Sequence, residues 1–169
     1  MRSISELQRG PMLRAVFRAP IGLYDAGLGW LLGERFLCLT HFGRKSGRRY
    51  RTVLEVVGTT PTVSEFVVMA AFGTSSDWYR NIAVNLAGEV VVGRHRFLPQ
   101  DRLLDEAEAV EVIADYERRN RWIQPIIRFL LSKLVGWRYD GSQQARERLV
   151  RQLPMVAFRP QTGIGPLGG

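Results

Sequence analysis

A chain of 169 residues with 46% apolar and 24% charged residues has the length of about one domain and enough apolar matter for a packed core, which argues against disorder and against a multi-domain enzyme. One cysteine, Cys38, excludes an intramolecular disulfide, and the two separated histidines, His41 and His95, make no metal-ligand cluster, so no metal is expected. The net charge is +8, and 22 of the 24 basic residues are arginine. The guanidinium fork suits phosphate and carboxylate, so an anionic partner is the first expectation, with arginine-biased composition as the plain alternative.

Residues 1–33 form a basic N-terminal segment. From Ser3 to Ala19 the apolar residues Ile4, Leu7, Met12, Leu13, Val16 and Phe17 recur at helical spacing among Arg2, Arg9, Arg14 and Arg18, with Gly10-Pro11 breaking the pattern in two. Such a helix packs on its own domain, lies on an anionic membrane or covers the mouth of a pocket. The arginines interrupt any secretory apolar run. The stretch Ala19 to Gly33 has 15 residues and four glycines, short of the ~20 apolar residues of a spanning helix. A cytoplasmic protein with peripheral contact to the inner face of the membrane is expected.

Strands are predicted at Phe36 to Thr40, Arg49 to Val57 and, after the turn Gly58-Thr59-Thr60-Pro61, Glu65 to Ala71. Ser76 or Asp77 caps a helix from Trp78 to Leu86. A hairpin follows, Glu89 to Val92 and His95 to Pro99 about Gly93-Arg94. Asp105 to Asn120 is a helix with Asp105, Glu106 and Glu108 at its start and Arg118 and Arg119 at its end, as the macrodipole favours; its apolar stripe is Val110, Ile113, Ala114 and Tyr116. Trp122 to Val135 is a second late helix and Ser142 to Gln152 a third, before a strand at Met155 to Arg159 and a flexible tail at 161–169. About six strands with late helices imply one α+β domain over 1–160 built on a small antiparallel sheet or barrel.

Two segments carry chemistry. In His41-Phe42-Gly43-Arg44-Lys45-Ser46-Gly47-Arg48-Arg49-Tyr50-Arg51, five of eleven residues are cationic and none is acidic. The glycines allow a tight turn, Ser46 adds a hydroxyl, and Arg44, Lys45 and Arg51 can neutralise an anion, so the segment reads as a phosphate cradle or as a solvated basic hairpin. Neither a Walker loop nor a Gly-x-Gly-x-x-Gly turn is present. Nucleic acid is not the expected partner, since no aromatic platform is interleaved with the cations. The second segment, Phe72-Gly73-Thr74-Ser75-Ser76-Asp77-Trp78-Tyr79-Arg80-Asn81, joins a small-residue loop to a helix start, which makes either an anion site or a plain helix cap with a core tryptophan.

Taken in order, Leu39-Thr40-His41-Phe42-Gly43-Arg44-Lys45-Ser46-Gly47 with Arg51-Thr52, then Phe72-Gly73 with Ser76 to Asn81, resembles the deazaflavin-dependent nitroreductase family of actinobacterial oxidoreductases. The resemblance spans about Phe36 to Phe97. It implies a split β-barrel related to FMN-binding barrels, holding coenzyme F420, whose reduced form passes hydride to quinones, nitroaromatics or other electron-poor acceptors. By position, it implies that Arg44, Lys45, Ser46, Gly47 and Arg51 hold the phosphate, that Phe72, Gly73 and Thr74 line the deazaflavin ring, and that Trp78 and Asn81 secure that loop. No catalytic acid is legible; Ser76, Tyr79, Tyr116 and solvent are the candidate proton donors.

Val53 follows Arg51-Thr52 where many relatives have proline, and Phe72-Gly73-Thr74 replaces a lysine-glycine-glycine loop of the nitro-drug-activating branch, so that branch's activity is not expected here. A lipid, fatty-acid or tetrapyrrole carrier on the same barrel is the competing reading, motivated by the apolar stretch Trp122 to Trp137, and an FMN protein is a third. Arg121, Arg128 and Lys133 beside that stretch add to the expected membrane contact. A monomer or a homodimer is expected.

Overall fold

The computed structural model describes residues 22, 24–60, 65–84 and 87–161. The expected N-terminal helix, the proline of the first turn and residues 162–169 of the expected tail lie outside them, while Gln161 donates its N–H to the Leu98 carbonyl at 3.1 Å. The elements in chain order are β1 (Phe36–Phe42), β2 (Arg49–Thr59), β3 (Phe66–Met69), α1 (Asp77–Ile82), β4 (Ala87–Val92), β5 (His95–Phe97), β6 (Pro99–Leu103), α2 (Glu106–Arg119), α3 (Gln124–Val135), α4 (Gln143–Gln152) and β7 (Met155–Pro160). The strands follow the order β5-β4-β1-β2-β3-β7-β6, and the registered pairs are antiparallel. The fold is α+β of split β-barrel type, as the sequence predicts.

Seven strands replace the six expected, because Pro99–Leu103 forms a strand of its own. Its residues, Pro99-Gln100-Asp101-Arg102-Leu103, are mostly polar and begin on proline, which reads as a loop. The segment stands at the end of the strand order, where a missing N–H is tolerated.

The chain divides into two compact units. The first comprises residues 1–56, 77–100 and 160–169, and the second residues 57–76 and 101–159. In the first, Leu37 to His41 of β1 are all buried, so β1 is covered on both faces, with Leu37 to Leu39 apolar and Thr40 and His41 polar. It pairs with β2 on one side and β4 on the other, with Thr40 opposite Arg51 and His41 opposite Tyr50. Tyr24, Cys38 and Val53 form a small core there. Burial first, and the Glu89 charge second, push the Cys38 thiol up to about 11, so it carries no reactive thiolate.

In the second unit the helices pack with β3 and β7 around Val67, Ile113, Leu149 and Met155. A capping box starts α2: the Glu108 N–H donates to the Asp105 carboxylate (2.8 Å) and the Asp105 N–H to the Glu108 carboxylate (3.2 Å). This satisfies two otherwise orphaned donors. The buried face of α2 is Ala109, Val110, Ile113 and Glu117, with Ala114 and Tyr116 only half-buried. The predicted stripe had Tyr116 where the 110-113-117 spacing puts a glutamate; its charge hid the position, and Arg146 supplies the counter-ion.

Candidate anion and cofactor site

The basic segment is a hairpin turn in the first unit. The Gly43 N–H donates to the Arg48 carbonyl (2.9 Å) and the Gly47 N–H to the Gly43 carbonyl (2.7 Å). Gly47 sits at φ +64°, and a Cβ on Gly43 would stand 2.6 Å from Ser46 Oγ and 2.9 Å from the Tyr50 ring. Both glycines are therefore dictated by geometry. Ser46 Oγ accepts from the Arg48 N–H at 3.3 Å and lies 3.4 Å from the Tyr50 hydroxyl, so Ser46 braces the turn it was expected to lend to a ligand.

Asn81 of α1 ties this turn down. It is 2% exposed. Its Oδ1 accepts from the Arg44 backbone N–H at 3.2 Å and from Arg44 Nη1 at 3.1 Å. That fixes the amide orientation, so Nδ2 donates to His41 Nδ1 at 2.9 Å. His41 Nδ1 is then the unprotonated nitrogen, and Nε2–H donates to Thr52 Oγ1 at 3.1 Å. The imidazole also stacks on Tyr50 with ring centroids 5.8 Å apart.

The chain of donors requires a neutral His41, and burial holds its pKa below the ordinary value against a smaller upward pull from Asp77. The sign follows. The unfolded chain takes up a proton near pH 6.5 and the folded one does so only at lower pH, so this contribution to stability is full above about pH 6.5 and is lost as pH falls through the folded pKa. Asn81→Asp is expected to invert that shift, since a carboxylate accepts from a protonated Nδ1. The chain has two histidines, so NMR titration of the ring resonances reads the His41 pKa directly; a pKa unchanged in the variant would contradict this geometry.

The cations of the turn divide into two groups. Arg44 Nη1 also donates to Asp77 Oδ1 at 3.1 Å, and Arg51 is paired with Asp25. Lys45, Arg48 and Arg49 are exposed, and none of them has an ion-pair partner among the described residues. The outward charge thus rests on Lys45, Arg48 and Arg49, while Arg44 holds the turn against α1. Arg48 and Arg49 were not among the expected ligands; the alternation of Arg49 with Arg51 on β2 was the signal for Arg49. His41, Thr52 and Tyr50 were likewise passed over, although all three lie inside or beside the motif.

Trp78 is buried and meets Tyr79 edge to face, with centroids 6.0 Å apart. Helix α1 starts at Asp77, which puts Ser76 in the capping position, yet Ser76 Oγ is buried with no hydrogen-bond partner among the described residues. Phe72, Gly73, Thr74 and Ser76 belong to the second unit. Gly73 has φ +61°, and a Cβ there would stand 3.0 Å from the Gln152 carbonyl; the Phe72 carbonyl accepts from Ser75 Oγ at 2.6 Å. Tyr116 is half-buried on α2 in the same unit, and its carbonyl accepts from the Asn120 side chain at 2.8 Å. Among the described residues, no group of three or more His, Cys, Asp or Glu is placed to hold a metal.

No family model matches the sequence, and no curated relative matches it. Among solved structures, one described as an F420-H2 dependent reductase (FDR-A) is 18% identical, with 75% of this chain covering 96% of that one at a TM-score of 0.41. Another, described as a domain-swapped dimer, is 17% identical, with 75% of this chain covering 81% of that one at a TM-score of 0.42.

Proposed function

We propose that the chain is a reductase that binds reduced coenzyme F420 and passes its hydride to an electron-poor acceptor of the quinone or nitroaromatic class. One observation carries this reading. Arg44, from the basic motif, and Asn81, from the second motif, are 37 positions apart in sequence and hydrogen-bonded in space. The two segments whose pairing makes the family resemblance are thus joined through the first unit, with a cationic turn facing outward.

The residues present fit an anionic cofactor. Lys45, Arg48 and Arg49 offer charge to a phosphate and to the carboxylates of a glutamate tail. Gly43, Ser46 and Gly47 shape the turn that carries them, and Arg44 with Asn81 fixes its position. Arg51 enters by exchanging Asp25 for the ligand's charge. Phe72, Gly73, Thr74 and Trp78 are proposed ring contacts on the resemblance alone.

When bound, the deazaflavin supplies the hydride, and the protein's part is to bind, orient and exclude water. His41, neutral and fully hydrogen-bonded, is a positioning residue that keeps Asn81 aimed at Arg44. The proton taken up by the reduced acceptor would come from Ser76, Tyr79, Tyr116 or solvent. Mixing the protein with reduced F420 and menadione and following the deazaflavin absorbance tests the activity. Acceptor-dependent reoxidation supports it; absence of turnover across quinone and nitroaromatic acceptors ends it.

A further inference from the structure

Helix α3 is apolar on two opposite faces. Ile127, Leu131 and Val135 enter the core of the second unit. Trp122, in the turn leading into the helix, is 85% exposed, and Ile126, Phe129 and Leu130 are each more than half exposed. These side chains recur at helical spacing, so they form one outward stripe. A contiguous exposed patch of this kind marks an interaction surface, because a soluble chain gains nothing by wetting it.

The charge around the stripe narrows the partner. From Arg118 to Tyr139 there is no acidic residue. Arg121 lies over the Trp122 ring, 5.1 Å from its centroid, and Lys133 over the Phe129 ring at 5.5 Å. Beside Phe129 is a cavity of about 260 Å³ lined by Arg128, Phe129, Ser132, Arg138, Tyr139 and Asp140. Arg128 Nε is buried there with no hydrogen-bond partner among the described residues. Asp140, the one acid of the cavity, accepts from the Ser142 N–H at 2.9 Å and also feels the Arg128 charge. Two arginines, one with an unmet donor, thus border an apolar stripe.

We propose that this face of α3 docks on an anionic phospholipid bilayer. Trp122, Ile126, Phe129 and Leu130 enter the acyl boundary, Arg121 and Lys133 lie at the level of the headgroups, and the cavity between Arg128 and Arg138 receives a headgroup phosphate. Tryptophan and flanking cations are the side chains that settle at this boundary. A second copy of the chain fits less well, since a two-fold contact through this stripe brings two sets of the cations Arg121, Arg128, Lys133 and Arg138 together against one acid, Asp140, from each copy. No helix among the described residues is long and apolar enough to cross a membrane, so the docking is peripheral.

The test is co-sedimentation of the full chain with vesicles of phosphatidylcholine alone or with one-quarter phosphatidylglycerol, at low and high salt. With a cation near the surface worth about fivefold in partitioning, binding is expected to be at least ~25-fold stronger to the anionic vesicles and to weaken at high salt. The variant W122S/F129S, altered only at exposed positions and checked by circular dichroism, is expected to lose binding by tenfold or more, and R138Q to lose about fivefold. Both variants keep Arg2, Arg9, Arg14 and Arg18. Wild-type binding by W122S/F129S would assign the membrane contact to the N-terminal segment and overturn the proposal. So would a wild-type protein that ignores vesicles but forms a dimer which W122S/F129S dissociates.

Discussion

Replacing Arg146 with methionine is expected to destabilise the protein by about 3–5 kcal/mol, the cost of stranding a buried charge, which lowers the midpoint of a thermal melt by roughly 8–15 °C for a chain of this size. Glu117 on α2 is 1% exposed, and its Oε2 accepts from Arg146 Nε at 2.9 Å and from Nη2 at 2.8 Å. Methionine keeps the aliphatic stem and removes the guanidinium, so the carboxylate is left buried beside Tyr139 without its counter-ion. The double variant Glu117→Leu, Arg146→Met is expected to recover most of the loss, because an apolar pair of similar volume avoids the desolvation cost altogether. Urea denaturation of the two variants checks both statements. A single variant as stable as wild type would mean that Glu117 is not held by Arg146.

Arg102→Met is expected to cost less, about 2–3 kcal/mol once the buried-pair figure is discounted for a partly exposed arginine. Arg102 joins β6 to two carboxylates: Nη2 lies 2.9 Å from Glu65 Oε2 and Nη1 lies 2.8 Å from Glu108 Oε2. Glu65 is buried, and Thr60 Oγ1 also donates to it at 3.0 Å. The Arg102 hydrogen bonds are the main reason that both carboxyls titrate below their ordinary value. With folded pKa values below the unfolded ones, this stabilisation is fully present above the usual carboxylate range and is lost as pH falls through the folded values. The wild type and Arg102→Met should therefore converge in stability on acidification. Equal stability of the two at neutral pH would contradict the assignment.

What could be read in the sequence follows from what each residue had to satisfy locally. The helix over 106–119 announced itself through Asp105, Glu108, Arg118 and Arg119, because caps and macrodipole partners lie within one turn of the helix ends. The turn at 43–48 was visible in its glycines and cations. The roles within it were not. Arg44 and Arg51 look like free phosphate ligands in sequence, and only their meeting with Asp77 and Asp25, 33 and 26 positions away, shows that each already has an acid. His41 looked like a lone histidine, and its tautomer depends on Asn81, 40 positions away. Glu117 and Pro99–Leu103 were hidden for the same reason: a buried glutamate and a polar strand make sense only beside the partners that tertiary structure brings to them. Sequence thus named the cationic turn, while the division between anchoring and outward-facing cations needed three dimensions.

That division is the part of the functional account most open to direct measurement. Titrating the protein with F420 and following the cofactor's fluorescence gives its affinity, with FMN as the comparison ligand. The wild type is expected to bind F420 saturably and in preference to FMN. With each exposed charge contact worth about 0.2–1 kcal/mol, the Lys45→Ala, Arg48→Ala, Arg49→Ala variant is expected to bind roughly 3- to 150-fold more weakly with its fold intact. Absence of saturable F420 binding by the wild type, or an affinity unchanged in the triple variant, would contradict the assignment of this turn as the cofactor's anion site.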